Sequence, residues 1–230
     1  MKMLTIFNFK NKLSIHEQLD LLKLFNEGNV KTELIISPII PVNDNEYSFS
    51  IASQNIAIKG RNVGDLTCEH LNYYNIKYAF VGHLERQKFL NETKDIIRSK
   101  IKQTIVGNIT PIICFGKNKN YIAEIHQLLS GIQFQGKEII IAYEILSATL
   151  SGKKDYSLEE ISNHLTMLKR YLFISSQIYN FKYKLVFGGG VQCKDIPEII
   201  KLGFDGVLIG DRTNTLLEVF NFLNQKEFSN

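Results

Sequence analysis

Short apolar runs rich in β-branched residues recur along the chain, and each is followed by a more polar stretch with helical character. The eight runs lie at residues 4–9, 33–37, 48–53, 78–82, 110–114, 138–143, 184–189 and 206–210. In several of them successive residues are apolar, as in "EIIIAY" at 138–143, which is typical of strands buried on both faces of a parallel sheet. The pattern therefore predicts eight parallel strands that alternate with helices.

The polar stretches carry the signals that begin and end helices. Ser14 is followed three residues later by Glu17, which predicts a capping box, and Gly28 ends the same stretch. Other helices are expected to begin at Asn91 and at Ser157, to end at Gly203, and to cover residues 214–224.

A strand followed by a helix, repeated eight times in 230 residues, predicts a (β/α)₈ barrel. The second helix should be shortened or missing, because residues 38–47 leave little room and contain two prolines. On pattern alone, an open doubly wound sheet of eight strands is the main alternative. No linker or low-complexity tract interrupts the pattern, so we expect a single domain over residues 1–230.

Composition narrows the class of protein. The net charge is +4 with scattered lysines, which argues against a nucleic-acid partner. The three cysteines are far apart and lack CxxC spacing, which argues against a disulfide framework or a zinc site and suits a reducing compartment. No apolar run approaches the roughly 20 residues that span a bilayer, and the start does not resemble a signal peptide. We expect a cytoplasmic protein with no membrane association.

Polar residues follow several predicted strands. Asn8 and Lys10 follow the first, Gln54 and Asn55 the third, His83 the fourth and Glu144 the sixth, while glycines 188–190 and Gly210-Asp211 follow the last two. In a parallel barrel these positions converge on one face. Taken singly, Lys10 is more often a surface lysine, His83 a strand-end histidine and Glu144 a helix-start carboxylate. Together they give a cation, a hydrogen-bond donor and a base at one mouth.

These segments resemble one family, triosephosphate isomerase. "NFK" at 8–10 is similar to the Asn-x-Lys that ends its first strand, and "GHLER" at 82–86 to its Gly-His-Ser-Glu-Arg. "AYEILSATLSGK" at 142–153 is similar to Ala-Tyr-Glu-Pro-Val-Trp-Ala-Ile-Gly-Thr-Gly-Lys. "FGGGV" and "DGVLIGD" resemble its Tyr-Gly-Gly-Ser-Val and Asp-Gly-x-Leu-Val-Gly-Gly. The motifs cover nearly the whole chain in order.

The resemblance implies interconversion of dihydroxyacetone phosphate and glyceraldehyde 3-phosphate, with no metal and no organic cofactor. Glu144 would be the base, neutral His83 would polarise the carbonyl and move a proton between the oxygens, and Lys10 would neutralise charge. Asn8 would position Lys10 and His83. Braces and phosphate contacts would come from Glu85, Arg86, Leu150, Gly189, Gly190, Gly210 and Asp211. The resemblance also implies a homodimer through the loop at 60–65, whose tip carries Val63 in place of Thr.

Departures from the family motifs cluster around residues 145–153, which we call the lid. The family's Pro, Trp and Gly become Ile145, Ser147 and Leu150. Two hydroxyl residues that bind the closed lid become Phe187 and Gly190. Elsewhere a Gly becomes Asp211, a Ser becomes Leu84 and an Arg becomes Gln87. We expect the chemistry with reduced turnover. The alternatives are an isomerase of another short sugar phosphate, or a catalytically impaired barrel with a structural or binding role.

Overall fold

Eight parallel strands close into a barrel in the order in which they occur along the chain. The structure, a computed structural model, describes residues 2–60, 64–151, 153–210 and 213–225. The strands are β1 (Leu4–Asn8), β2 (Glu33–Ser37), β3 (Ser50–Ser53), β4 (Tyr78–Val81), β5 (Thr110–Phe115), β6 (Glu138–Glu144), β7 (Lys182–Gly188) and β8 (Gly206–Gly210). Because β1 pairs with both β2 and β8, the predicted barrel is confirmed and the open sheet is wrong.

Helices surround the barrel in the described residues: α1 (Ile15–Glu27), α2 (Cys68–Tyr73), α3 (Leu84–Phe89), α4 (Lys94–Val106), α5 (Tyr121–Leu129), α6 (Leu146–Ser151), α7 (Leu158–Tyr179), α8 (Ile196–Leu202) and α9 (Thr213–Gln225). Between β2 and β3 the chain forms a single 3₁₀ turn, Asp44–Glu46, and no α-helix. The predicted shortening of the second helix is therefore confirmed.

The helix boundaries follow local capping chemistry in most places. Ser14 and Glu17 form the predicted capping box, with the Glu17 carboxylate accepting from the Ser14 N–H at 2.8 Å. The prediction that a helix begins at Asn91 is wrong, because Asn91 has a left-handed φ of 50° and Thr93 caps α4 instead. An Asn tolerates that backbone region, so a good capping residue type marked a turn rather than a helix start.

Two apolar layers hold the barrel together. Inside it, side chains from alternate strand positions form a packed core that includes Ile6, Phe80, Ile112 and Val186. A larger layer fills the space between the strands and the helices. With the interior filled by apolar side chains, polar groups at the carboxyl ends of the strands lie in the mouth of the barrel.

The strand register brings the predicted site residues to that mouth. Asn8, the last residue of β1, pairs with Ser37 of β2 and Gly210 of β8. Glu144, the last residue of β6, pairs with Gly188 of β7. The fold thus places residues that are far apart in the sequence at one level of the barrel.

Candidate active site

Asn8 and Lys10 form a rigid corner at the end of β1. The Lys10 N–H donates to Asn8 Oδ1 at 2.9 Å, and Lys10 has a left-handed φ of 52°. Gln54, at the end of β3, donates from Nε2 to the Lys10 carbonyl at 3.1 Å and to the Ser37 carbonyl at 3.2 Å. These bonds hold a backbone conformation that Lys rarely adopts, and they point the side chain into the mouth.

His83 lies immediately after β4 and is 7% exposed. Its Nε2 lies 3.0 Å from Asn8 Nδ2, and its Nδ1 lies 2.5 Å from Glu85 Oε2. Since Asn8 Oδ1 accepts from Lys10, the other end of the Asn8 amide is the NH₂ group, which donates to Nε2. The ring therefore carries its proton on Nδ1, facing the Glu85 carboxylate.

Glu85 joins the two cationic or proton-bearing groups. Its Oε1 accepts from Lys10 Nζ at 2.5 Å, while Oε2 faces the His83 ring. Burial opposes charge on Glu85, but the contact with His83 and the charge of Lys10 outweigh it and lower the pKa of Glu85 to about 2. Glu85 therefore stays a carboxylate across the physiological range and fixes both neighbours.

Arg86 anchors this segment from the other side. Its Nε donates to Glu92 Oε2 at 2.7 Å, and the buried Lys100 donates to the same oxygen at 3.0 Å. Lys100 also donates to Asn55 Oδ1 at 2.7 Å, which ties α4 to the end of β3. The ion pairs that the sequence predicted for Glu85 and Arg86 are present.

Glu144 ends β6 with its side chain almost completely buried, at 3% exposed. Its Oε2 accepts from Thr149 Oγ1 at 3.1 Å, whereas its Oε1 has no hydrogen-bond partner. Cys114 lies close by on β5, where burial first and the Glu144 charge second raise the pKa of its thiol well above the usual range. A buried carboxylate oxygen without a partner is costly for folding, and such groups are found where a reaction uses them.

A small cavity brings the predicted residues together. It is lined by Asn8, Lys10, His83, Glu144, Thr149, Gly189, Gly190, Leu208 and Gly210. Its free volume is about 10 Å³, which is close to the minimum for one water molecule. A sugar phosphate is far larger, so the lid must move before a substrate can enter.

The lid covers this cavity and packs directly on the loop after β7. A Cβ placed on Gly190, whose φ is 65°, would lie 2.7 Å from the backbone carbonyl of Lys153. On Gly189 it would lie 3.1 Å from Thr149 Oγ1. Glycine is therefore required at 190, and the lid backbone occupies the space in which a family serine side chain would lie.

The structure differs from the sequence prediction at three points of the site. The lid was predicted as a loop, yet residues 146–151 form the short helix α6. Leu150 lies on that helix but does not line the cavity. Asp211 and the dimer-loop residue Val63 lie outside the described residues.

Sequence reasoning passed over two residues that the structure brings to the site. Thr149 was read as part of an apolar lid, although its hydroxyl contacts the predicted base. Gln54 was noted only as a polar residue after a strand, and its contact with Lys10 depends on register between β1 and β3. A Thr where the family motif has Ile was the available signal for the first.

Searches for other kinds of site gave negative results over the described ranges. There, no group of three or more His, Cys, Asp or Glu side chains is arranged to hold a metal ion. Nor does any helix in those ranges have the length and apolar character that crossing a bilayer requires.

Comparison with known proteins agrees with the geometry. The sequence profile of the family "Triosephosphate isomerase" matches residues 3–225. A triosephosphate isomerase of Orientia tsutsugamushi (strain Boryong) is 32% identical, covering 91% of this chain and 92% of its own. That of Mycoplasma pneumoniae is 26% identical over 95% of both chains, and that of Thermus thermophilus is 27% identical over 81% of this chain and 80% of its own. The chain therefore belongs to the triosephosphate isomerase family.

Proposed function

We propose that the chain interconverts dihydroxyacetone phosphate and D-glyceraldehyde 3-phosphate by proton transfer through an enediolate, without a metal or an organic cofactor. The observation that carries the proposal is the buried Glu144, whose unpartnered Oε1 shares one cavity with Lys10 and His83. Family membership supports the same reaction. A single (β/α)₈ domain over the whole chain is part of the proposal.

Glu144 is the proposed base. Its Oε1 takes a proton from the carbon next to the substrate carbonyl and returns it to the neighbouring carbon. The buried setting withholds solvent from the carboxylate, so the oxygen is not blocked by a water shell when the substrate arrives. The pairing of a Glu base with a His is one that general enzymology already recognises for this fold.

Lys10 is the proposed electrophile. Its ammonium group is held by Glu85 and by the corner at Asn8, so its charge is fixed before the substrate binds. A fixed positive charge in a site that excludes water stabilises the negative charge that develops on the enediolate oxygens and on the phosphate. The pairing with Glu85 keeps the lysine in place while the site is empty.

His83 is the proposed proton carrier between the two substrate oxygens. As the ring stands, Nδ1 carries the proton and Nε2 has a lone pair toward Asn8. Nε2 can therefore accept the proton of a substrate hydroxyl and deliver it to the adjacent oxygen. Polarisation of the carbonyl by a neutral His83, which the resemblance implied, would need the proton on Nε2, so in this state Lys10 supplies that effect.

The phosphate group is proposed to bind at the N–H groups of Gly189, Gly190 and Gly210, with Leu150 and Asp211 contributing from the lid and the eighth loop. Gly189 and Gly190 have φ values of 96° and 65°, which aim successive backbone groups toward the cavity. The lid must open to admit the phosphate and close again over it. Since Phe187 and Gly190 offer no hydroxyl to the closed lid, we propose a reduced efficiency of turnover.

A coupled assay with each triose phosphate tests the proposal. We expect turnover in both directions, and expect a reaction in D₂O to place deuterium on the substrate carbon. Rescue of an isomerase-deficient strain by the chain, with Glu144→Asp as a weakened control, would support it. Soluble protein with no turnover of either substrate would overturn it in favour of a structural or binding barrel.

The departures around the lid favour one alternative, an isomerase of another short-chain sugar phosphate. Against it, the lid backbone leaves the cavity contracted, which suits the smallest sugars. Parallel kinetics with a four-carbon ketose phosphate decide the matter, because a higher kcat/KM on that substrate than on the triose would establish the alternative.

We further propose that the chain forms a homodimer and acts in the cytoplasm. A cavity of about 540 Å³ beside Lys10 is bordered by Ile39, Phe89 and Leu90, all three exposed in the single chain. Exposed apolar groups around a cavity mark an interaction surface, and the loop at 60–65 of a second copy is the proposed occupant. Light scattering should give twice the mass of one chain, and a clean monomer at micromolar concentration would contradict it.

A further inference from the structure

We propose that Thr149 is a positioning residue of this enzyme: its hydroxyl latches the lid to the catalytic base and fixes the base in its working orientation. The inference rests on the proposed function of Glu144. It differs from the family motif, which has an apolar Ile at this place in the lid and therefore no donor to the carboxylate.

The first observation is the contact itself. Thr149 Oγ1 donates to Glu144 Oε2 at 3.1 Å, and both side chains are buried. A hydrogen bond to a charged group in a buried place is stronger than one between neutral groups. The Glu144 carboxylate is thereby divided into one held oxygen, Oε2, and one unpartnered oxygen, Oε1.

This division suits a base. A carboxylate that abstracts a proton from carbon needs one oxygen aimed at the substrate and little freedom to rotate. A donor on Oε2 stops rotation of the carboxylate while leaving Oε1 available. The Thr149 side chain lines the same cavity as His83 and Lys10, so the held geometry faces the other catalytic groups.

The second observation is the rest of the lid. Ser151 Oγ contacts only the backbone of Ala148 and Lys153, which are themselves lid residues. Within the described part of the lid, residues 145–151 and 153, Thr149 makes the side-chain hydrogen bond that reaches a described residue outside it. With Phe187 and Gly190 lacking hydroxyls, the latch has moved from the seventh loop to the base itself.

The third observation is how α6 presents the hydroxyl. The Thr149 N–H donates to the Ile145 carbonyl at 2.8 Å, so one helical turn separates the hydroxyl from the residue after the base. Ile145 in place of Pro is compatible with this turn, and Gly189 leaves the room that the Thr149 side chain needs. The changes in the lid therefore fit one another.

Thr149→Val tests the proposal, because Val keeps the shape and removes the hydroxyl. We expect kcat to fall about tenfold while KM stays within about twofold, since loss of one hydrogen bond to a charged group is of that size. Thr149→Ser should recover most of the lost kcat. Thr104→Val removes another buried hydroxyl, whose partner is the Ile101 carbonyl in α4, and should leave kcat unchanged.

Amide hydrogen exchange supplies a readout that does not need activity. In the free protein, a peptide covering residues 145–151 should exchange about tenfold faster in Thr149→Val than in the wild type, and at the wild-type rate in Thr104→Val. Unchanged kcat in an active Thr149→Val enzyme would overturn the proposal, and so would unchanged exchange of the lid. If the wild type proved inactive, the proposed function would fail while exchange still judged the latch.

Discussion

The floor of the site and its lid are built in different ways. On the floor, Asn8, Lys10, His83 and Glu85 are joined by four contacts, and each residue matches the family motif. In the lid, three motif positions have changed, and one side-chain hydrogen bond, from Thr149, reaches the base. The floor keeps the groups that make and break bonds, whereas the lid controls when they are enclosed.

This difference separates the chemistry from its efficiency. A network of charged hydrogen bonds tolerates little substitution, because removing one member leaves another buried and unpaired. A lid needs only to close, and several arrangements of side chains achieve that. The predictions below attack the floor first and the lid afterwards, from the largest expected effect to the smallest.

Replacing the base should have the largest effect. Glu144→Gln keeps the size of the side chain but cannot take a proton, so kcat should fall by about 10³-fold or more. The matched control is Glu138→Gln, at the opposite end of the same strand, where the carboxylate is 40% exposed and pairs with Lys184. Steady-state assays of both variants measure the effect, and a Glu144→Gln enzyme within tenfold of wild type would exclude Glu144 as the base.

Replacing the fixed cation should come next. Lys10→Met removes the charge and keeps the stem, so kcat/KM should fall by about 10²–10³-fold because developing negative charge is no longer neutralised. Lys23→Met, on the exposed face of α1, is the control and should behave as the wild type. Equal kinetics for the two variants would show that the contact between Lys10 and Glu85 is structural.

Restoring a family hydroxyl to the seventh loop should do harm. Gly190→Ser returns a family residue, yet its Cβ would lie 2.7 Å from the Lys153 carbonyl and its backbone has a positive φ. We expect kcat/KM to fall about tenfold, in line with roughly 1–2 kcal/mol for a non-glycine residue in that region. Gly131→Ser is the matched control, with a φ of 73° and open space around it.

The control separates strain from lid position. Both variants should lose similar stability in thermal unfolding, but only Gly190→Ser should lose activity. A gain in kcat/KM for Gly190→Ser would mean that the lid closes in the family's way and that its packing on Gly190 is wrong.

The smallest effect concerns stability in acid. Because the pKa of Glu85 is about 2 in the folded chain and about 4.5 in the unfolded chain, its contribution is fully present above pH 4.5 and is lost as the pH falls toward 2. Glu85→Gln should therefore lower the free energy of unfolding at pH 7 by at most about 3 kcal/mol, with the difference vanishing near pH 2. Denaturant titrations across this range measure it.

A matched substitution at an exposed ion pair checks the cause. Glu69 lies 4.0 Å from Lys59 with both side chains largely exposed, and Glu69→Gln should change the unfolding free energy by less than about 0.5 kcal/mol. If the difference between Glu85→Gln and wild type were constant from pH 7 to pH 2, charge on Glu85 would not be its source.

The barrel was predictable because its signal repeats. Eight apolar runs with period and spacing of strands, and two prolines in the second unit, gave the topology and the missing helix. Local signals were weaker where one residue serves two purposes, so Asn91 suggested a cap and proved to be a turn. Short helices such as α2 and α6 carry too few residues to show a periodicity.

The site was predictable at its strand ends and not at its contacts. Asn8, Lys10, His83, Glu144 and Gly210 follow from position, because parallel strands end at one face. The roles of Thr149 and Gln54 depend on which atoms meet in three dimensions, and no sequence period encodes that. The proton on His83 Nδ1 depends likewise on where Asn8 and Glu85 place their oxygens.

The central claim is that an intact floor does the chemistry under an altered lid, and one steady-state measurement tests it most directly. With glyceraldehyde 3-phosphate as substrate, we predict a kcat/KM that depends on Glu144 and lies well below the diffusional ceiling of about 10⁸–10⁹ M⁻¹s⁻¹. A value at that ceiling would contradict the account of the lid. Turnover that survives in Glu144→Gln would contradict the account of the floor.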